Sequence, residues 1–153
     1  MDFDRALDLG LGLIRQFEGL ILHPYLCSAG VPTIGYGSTY YQDGSRVSLA
    51  DTPIDKATAE YLLKLTVRKT YFPAVVSLCP TLETEEQTAA ILSWTYNLGV
   101  GALKSSNLRR KILLRDWDNI PTEILKWNRA AGKENKGLTR RRQAEAKIFT
   151  AKK

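Results

Sequence analysis

The chain has 153 residues, of which 44% are hydrophobic and 25% charged, and these values indicate one soluble globular domain over residues 1–153. The N-terminus shows no basic head followed by an apolar run, and the longest apolar stretch, Leu9 to Ile14, is far shorter than a membrane span. The sequence therefore predicts neither a secretory signal nor a membrane anchor. Without export, Cys27 and Cys79 are expected to be free thiols.

The net charge of +6 is unevenly distributed along the chain. Residues 1–103 carry 7 Lys and Arg against 11 Asp and Glu, whereas residues 104–153 carry 15 against 5. A basic half of this size attracts polyanions, and both nucleic acid and an anionic cell wall satisfy that description. A solvated basic surface without a dedicated partner is the remaining alternative.

A first helix is predicted from about Asp2 to Glu18. Its buried stripe consists of apolar residues at helical spacing, namely Leu7, Leu11, Ile14 and Phe17. Gly10 and Gly12 weaken this helix, so we expect a close neighbour there, and Gly19 is suited to ending it. Glu18 then lies in the last turn, where the helix dipole disfavours a charged carboxylate and favours the protonated form that a general acid needs.

After Gly19, turn-forming and strand-forming residues alternate up to Gly37, which predicts a short antiparallel ribbon folding back towards Glu18. Such a ribbon brings Cys27 and Thr33 near Glu18. A helix, a turn and a hairpin without chemistry is the simpler interpretation of the same pattern. Asp43-Gly44 marks the next turn, and Tyr40 and Tyr41 suit either a sugar-binding surface or a strand.

The rest of the chain is predicted to be helical. Thr52-Pro53 resembles a helix start, and Pro73 predicts a kink or two helices meeting near Phe72. The run Thr84-Glu85-Glu86-Gln87 predicts a capping box that opens a helix ending at Gly99, with Trp94 in the core. Residues 133–136 read as a polar loop before a closing amphipathic helix. At most two of that helix's arginines, 140–142, can point inward.

Other site chemistries have little support in the sequence. The single histidine, His23, has no partner at ligand spacing, and no phosphate-binding glycine loop is present, so no metal and no cofactor are predicted. A hydrolase built on Cys27 and His23 lacks an orienting third residue.

Several ordered motifs carry a resemblance to a known family. The first motif is E-G-L-I-L-H-P-Y-L-C-S-A-G-V-P-T-I-G-Y-G, which begins at Glu18. In it, eight residues separate Glu18 from Cys27, and five residues separate Cys27 from Thr33. Further blocks follow at Tyr96-Asn97-x-Gly99, at Trp127 and at Gly137-Leu138-x-Arg140-Arg141. From about Ala6 to Phe149 the chain resembles the bacteriophage lysozymes, or endolysins, of glycoside hydrolase family 24. That family usually has Asp or Cys at the position of Cys27.

The resemblance implies an α+β, predominantly helical fold. A small β-ribbon lobe covers about residues 12–60, and a larger helical lobe covers about 75–150 plus the N-terminal helix, with a cleft between them. It also implies a muramidase that cuts the β-1,4 bond between N-acetylmuramic acid and N-acetylglucosamine in peptidoglycan, by general acid catalysis and with inversion. A non-catalytic wall-binding lysozyme domain and a basic nucleic-acid-binding module are the alternatives.

The implied catalytic residues are Glu18 as general acid, Thr33 holding the attacking water, and Cys27 where a carboxylate is usual. The implied substrate-binding residues are Tyr25, Tyr36, Tyr96, Asn97 and, from the arginine segment, Arg141. Since burial or a nearby carboxylate raises the pKa of a thiol, we expect Cys27 to be mostly neutral at pH 7.

The expected partners are peptidoglycan glycan strands and the anionic cell wall, with no specific nucleic acid and no membrane insertion. The protein is expected to be a monomer that accumulates in the host cytoplasm and reaches the wall through a separate membrane pore.

Overall fold

The computed structural model describes residues 1–151, which form a mainly helical α+β architecture, as predicted. The α-helices are α1 (Phe3–Glu18), α2 (Lys56–Thr66), α3 (Phe72–Leu78), α4 (Glu85–Leu98), α5 (Val100–Ser105), α6 (Asn107–Leu113), α7 (Ile120–Leu125) and α8 (Lys136–Phe149). The strands are β1 (Ile21–Leu26), β2 (Pro32–Gly35), β3 (Arg129–Ala130) and β4 (Lys133–Glu134). A π-helical segment, Val67–Tyr71, joins α2 to α3, and a 3-10 turn, Trp117–Asn119, precedes α7.

The chain divides into two compact units. The ribbon unit is Ile14–Thr70, and the helical unit is Met1–Leu13 together with the chain from Tyr71 onward. The sequence places its two lobes at about 12–60 and 75–150, whereas the ribbon unit also takes in the end of α2 and most of the π-helical segment.

In the ribbon unit, β1 and β2 pair antiparallel, with Tyr25 opposite Thr33, as the turn and strand pattern predicts. The backbone N–H of Ile54 donates to the Leu22 carbonyl at 2.9 Å, which ties the chain before α2 to the ribbon. Beneath the ribbon lies a small buried core of Ile34, Val47 and Leu62. The ribbon is therefore held on a scaffold of its own unit.

The predicted start of α2 is wrong by three residues. Asp55, not Thr52, is the N-cap, and its carboxylate accepts from the N–H of Thr58 at 2.7 Å. Because the N–H of Ile54 is bonded to the ribbon, the helix begins only after Asp55. The predicted junction near Phe72 is confirmed, since α3 begins there after the π-helical segment.

The helical unit is built around α4, whose residues from Glu85 to Thr95 are all buried. The predicted capping box is present, with Gln87 N–H donating to the Thr84 hydroxyl at 3.0 Å. Trp94 is fully buried, as predicted, and meets the ring of Trp127 edge-on at 5.2 Å between centroids. α4 is thus the central helix of this unit.

The N-terminal part of α1 packs on α4. A Cβ added at Gly10 would lie 2.6 Å from Leu92 Cδ2, which explains the glycine, whereas Gly12 has nothing within 4 Å. The expectation of a close neighbour is therefore right for Gly10 and wrong for Gly12. Arg5 adds an ion pair to Glu86 at 3.0 Å.

Two further features differ from the sequence prediction. The short helix α5 follows Gly99, although Gly99 and Gly101 together suggest only a helix end. The predicted polar loop at 133–136 instead holds β4 and the start of α8. β4 pairs with β3 in a hairpin whose two turn residues, Ala131 and Gly132, both have positive φ, the conformation that two-residue hairpins require. Within residues 1–151, no helix is both long enough and apolar enough to cross a bilayer.

Candidate active site

Glu18 is the last residue of α1, as predicted. Gly19 adopts φ +70 and its N–H donates to the Arg15 carbonyl at 3.2 Å, so the left-handed glycine ends the helix directly after the acid. Gln16, two residues earlier, is exposed, whereas Glu18 is only half-exposed and makes contacts of its own. The carboxylate therefore sits at a fixed helix end next to the start of β1.

The turn between β1 and β2 holds the other two motif residues. Cys27 N–H donates to the Val31 carbonyl at 3.1 Å, and Gly30 N–H donates to the Cys27 carbonyl at 2.9 Å. Thr33 is buried, and its hydroxyl donates to the Val31 carbonyl at 2.8 Å. Cys27 is thus held in the turn by backbone hydrogen bonds, and the Thr33 side chain is held by its bond to a backbone carbonyl of the same turn.

The expected direction of the Cys27 pKa is wrong. The backbone N–H of Val31, followed by that of Ala29, stabilises the thiolate and lowers the pKa of the Cys27 thiol. Burial acts in the opposite direction but is the weaker influence, because Cys27 is only half-buried. The turn is therefore a site that favours negative charge at position 27.

Tyr25 joins this group. Burial raises the pKa of its phenol, and the negative charges of Glu18 and Cys27 raise it further. Tyr25 is paired with Thr33 across the ribbon, and Glu18, Tyr25, Cys27 and Thr33 all belong to the ribbon unit.

Tyr36 has a different environment from the one predicted. Only 6% of it is exposed, and burial followed by a hydrogen bond to Glu60 raises the pKa of its hydroxyl. Glu60 in turn pairs with Arg15 at 2.9 Å. The Tyr36 ring is enclosed and its hydroxyl is engaged, so Tyr36 packs within the ribbon unit, and its contact with substrate stays a prediction.

The Arg15–Glu60–Tyr36 contacts were not predicted from the sequence. They join the last turn of α1, which carries Glu18, to α2. Glu60 lies 45 residues from Arg15, and no local pattern marks the pair.

In the helical unit, Tyr96 and Asn97 lie near the end of α4 and are both half-exposed. The Tyr96 ring meets Tyr71 at 5.0 Å between centroids and an interplanar angle of 61°. Asn97 Oδ1 accepts from Arg142 Nη2 at 2.7 Å. With its carbonyl oxygen occupied, the Asn97 side chain has its NH₂ group available as a donor.

Arg141, predicted to bind substrate, is 3% exposed. Its guanidinium donates to the Ser93 carbonyl at 3.1 Å and lies 3.4 Å from Glu145 Oε2. The buried guanidinium packs α8 against α4, and substrate binding by Arg141 stays a prediction. Of the three arginines, 141 and 142 point inward and Arg140 is exposed.

Glu145 is the centre of this buried cluster. It pairs with Arg142 at 2.8 Å and accepts from the Ser93 hydroxyl at 2.6 Å. Burial raises the pKa of the Glu145 carboxyl, against the influence of the two guanidiniums. Through Arg142, the cluster fixes the orientation of Asn97, a connection that sequence reasoning missed because its members are 45 to 52 residues apart.

Comparison with known proteins identifies the family. The family model described as phage lysozyme matches residues 15–145. The endolysin of Bacillus phage B103 is 37% identical over 92% of this chain, which spans 52% of that relative's length. The endolysin of Acyrthosiphon pisum secondary endosymbiont phage 1 is 34% identical, with 92% of this chain and 94% of the relative covered.

A solved structure gives the same result. The endolysin from Escherichia coli O157:H7 phage FAHEc1 superposes with a TM-score of 0.82 at 34% identity, covering 93% of this chain and 90% of the other. The predicted lysozyme-like fold and lysozyme class of enzyme are thereby confirmed at the level of the family. With a family model matching most of its length and relatives above 30% identity, the chain belongs to the phage lysozyme family.

Proposed function

We propose that this chain is a muramidase that hydrolyses the β-1,4 bond between N-acetylmuramic acid and N-acetylglucosamine in peptidoglycan, for lysis of the host cell. The observation that carries the proposal is the grouping of Glu18, Cys27 and Thr33, with Tyr25 beside them, at the end of α1 and the β1–β2 turn. Glu18 is the general acid that protonates the glycosidic oxygen as it leaves the anomeric carbon.

Thr33 holds the attacking water. Its hydroxyl proton is donated to the Val31 carbonyl at 2.8 Å, so its oxygen acts as an acceptor towards a water molecule. A water that donates to Thr33 keeps a lone pair free for the anomeric carbon. Attack from the face opposite Glu18 gives the inverted, α-anomeric product.

Cys27 supports the cationic transition state by its polarity and leaves room beside the anomeric carbon. The N–H donors that lower its pKa also strengthen the negative character of the sulfur, which favours a developing positive charge nearby. Tyr25 offers an aromatic face to the sugar, and Tyr96 and Asn97 contact further parts of the glycan, Asn97 through its NH₂ group.

In the cell, we propose a monomer that accumulates in the host cytoplasm and reaches the wall through a separate membrane pore. The basic residues from 104 onward favour the approach to anionic wall polymers. Nucleic acid is not a specific partner in this proposal.

The decisive experiment compares the wild type with Glu18→Gln on purified peptidoglycan. We expect turbidity loss in the wild type and a rate about 10²–10⁴-fold lower in the variant, because the amide cannot donate the required proton. Glu134→Gln, at an exposed glutamate of β4, is the matched control and should retain full activity. Near-wild-type lysis by a folded Glu18→Gln protein would remove Glu18 from the mechanism.

The same assay distinguishes the muramidase from a second candidate function, a wall-binding domain that does not hydrolyse its ligand. The cysteine at position 27, where a carboxylate is usual, favours this second candidate. Such a protein would sediment with peptidoglycan, yet wild type and Glu18→Gln would be equally inactive.

For the stereochemistry, proton NMR early in the hydrolysis of a soluble wall fragment should show the α-anomer first. A β-anomer first would indicate a covalent intermediate and contradict the role given to Thr33.

A further inference from the structure

The solvent-facing side of α8 carries a row of four polar side chains, three of which are basic. Its four members are exposed and follow one another at intervals of four, three and four residues, which places them on one face of the helix. They are called the α8 stripe here: Lys136, Arg140, Gln143 and Lys147. Three of the four are cations, and Gln143 adds an uncharged donor and acceptor.

The three cations have no carboxylate partner in the part of the chain that the structure describes. The one acid on α8, Glu145, is fully buried on the opposite side of the helix. Glu134, the nearest exposed acid in the sequence, accepts a hydrogen bond from the Thr139 hydroxyl at 3.2 Å. The α8 stripe therefore presents three uncompensated positive charges to solvent.

Two of these charges, those of Lys136 and Arg140, do not stabilise the helix that carries them. Lys136 is the first residue of α8, and the first turn contains no acid, so a positive charge lies at the positive end of the helix dipole. Lys136 and Arg140 are also like charges four residues apart, a spacing at which they repel. Only Lys147, in the last turn of α8, is placed favourably for the helix dipole, so the arrangement of Lys136 and Arg140 points to contact with something outside the chain.

We propose that the α8 stripe binds a linear phosphodiester polymer of the cell wall, of the poly(glycerol phosphate) type, along the helix axis. At 1.5 Å per residue, Lys136 and Arg140 are about 6 Å apart along the axis, and Arg140 and Lys147 about 10 Å. The cations thus form a line of about 16 Å, which suits an anionic chain with regularly repeated phosphates. Each phosphate contact releases a counterion, so the binding weakens as salt increases.

The choice of a wall polymer among polyanions rests on the proposed function, because that function places the protein in the wall. Such binding would hold the enzyme beside its glycan substrate without contributing to the chemical step. The α8 stripe lies wholly in the helical unit, whereas Glu18, Cys27 and Thr33 lie in the ribbon unit. The two activities can therefore be tested independently.

The test measures the affinity for purified poly(glycerol phosphate) as a function of salt, in a Glu18→Gln background so that hydrolysis does not enter. One variant carries Lys136→Gln, Arg140→Gln and Lys147→Gln. The matched control carries Lys64→Gln, Arg68→Gln and Lys69→Gln, which likewise removes two lysines and one arginine, from exposed positions of the ribbon unit. Circular dichroism establishes that both are folded.

We expect the stripe variant to reduce the slope of log K against log salt by about two, since each phosphate contact contributes about 0.7 on a flexible single chain. The control should change the slope by less than half as much. If both variants reduced the salt slope equally, net charge alone would account for the binding, and the proposal would be overturned. Tighter binding of the parent to duplex DNA at equal phosphate concentration would overturn the choice of polymer.

Hydrolysis of polymer-free peptidoglycan, measured with Glu18 restored, should be the same for the stripe variant and the wild type. Failure of the proposed function appears as no hydrolysis by the wild type in this assay, whatever the polymer affinity. Failure of the α8 stripe proposal appears only in the binding curves. A stripe variant with reduced hydrolysis on polymer-free peptidoglycan would contradict the separation of binding from catalysis.

Discussion

The β1–β2 turn and the α4–α8 contact hold polar side chains in opposite ways. In the turn, the hydroxyl of Thr33 is bonded to the carbonyl of Val31, two residues away, and backbone N–H groups face the sulfur of Cys27. Between α4 and α8, Glu145 is bonded to the Ser93 hydroxyl 52 residues away and to buried guanidiniums. One region relies on the local backbone, and the other on distant side chains.

This difference predicts how each region responds to mutation. Backbone donors stay in place when a side chain is replaced, so the turn should accept a change at Cys27. In the α4–α8 cluster, the ion pairs and the Ser93–Glu145 bond are made between side chains, so removing the Glu145 carboxylate leaves two buried guanidiniums without a counter-charge. The turn is therefore expected to tolerate substitutions that the buried cluster does not.

The largest effect is expected for Glu145→Ala, which would break the buried cluster. Both neighbouring guanidiniums, Arg141 and Arg142, are almost fully buried and would lose their carboxylate. Removing one partner of a buried ion pair typically costs about 3–5 kcal/mol of unfolding free energy. Urea denaturation followed by far-UV circular dichroism measures this loss.

The control for this prediction is Glu134→Ala, at an exposed glutamate just before α8. Its unfolding free energy should change by no more than about 0.5 kcal/mol. A loss below about 1 kcal/mol for Glu145→Ala would show that the cluster is not the fixed element described above.

An intermediate effect is expected for Gly10→Ala, where α1 meets α4. The new Cβ would overlap Leu92 Cδ2 at 2.6 Å, and overpacking of this kind costs about 1–3 kcal/mol. Gly12→Ala, two residues along the same helix with nothing within 4 Å, should instead stabilise the protein by about 0.5–1 kcal/mol. Thermal and urea unfolding of the two variants measures the change in unfolding free energy for each. A change of the same sign in both variants would argue against the packing explanation.

The smallest effect on stability is expected at Cys27. Cys27→Ser and Cys27→Asp should each change the unfolding free energy by no more than about 0.5 kcal/mol, because the side chain is half-exposed and the backbone donors remain. Cys27→Asp should also remain active, since the N–H groups of Val31 and Ala29 favour an anion at this place. Urea denaturation and turbidity assays test the two statements.

Cys79→Ser provides the contrast at the second thiol. Cys79 is 2% exposed, and burial raises its pKa to about 11, so a serine hydroxyl there would be buried without an assured partner. The unfolding free energy is therefore expected to fall by about 1–3 kcal/mol.

For Cys27, a folded but inactive Cys27→Asp protein would contradict the account of the turn as an anion-tolerant site.

The sequence predicts well those elements whose signals are local. The end of α1 at Glu18 and Gly19, the β1–β2 ribbon and the capping box at Thr84 each depend on residues within a few positions of one another. The same holds for the Glu18–Cys27–Thr33 spacing, because these three residues lie within sixteen positions of one another and the sequence can therefore predict them as a group.

Elements decided by distant contacts were missed or misplaced. Thr52 and Asp55 both carry N-cap signals, and the choice between them depends on the N–H of Ile54 being bonded to Leu22. In the same way, no local pattern distinguishes Arg140, which is exposed, from Arg141, which is buried against Ser93.

The edge-on contact of Trp94 and Trp127 has a consequence for spectroscopy. All three tryptophans of the chain lie after residue 71, and the ribbon unit contains none. Trp94 is fully buried, so its emission should shift to longer wavelength when the helical unit unfolds. Tryptophan fluorescence, excited selectively, therefore reports on the helical unit alone, and its coincidence with the ellipticity transition measures whether the two units unfold cooperatively.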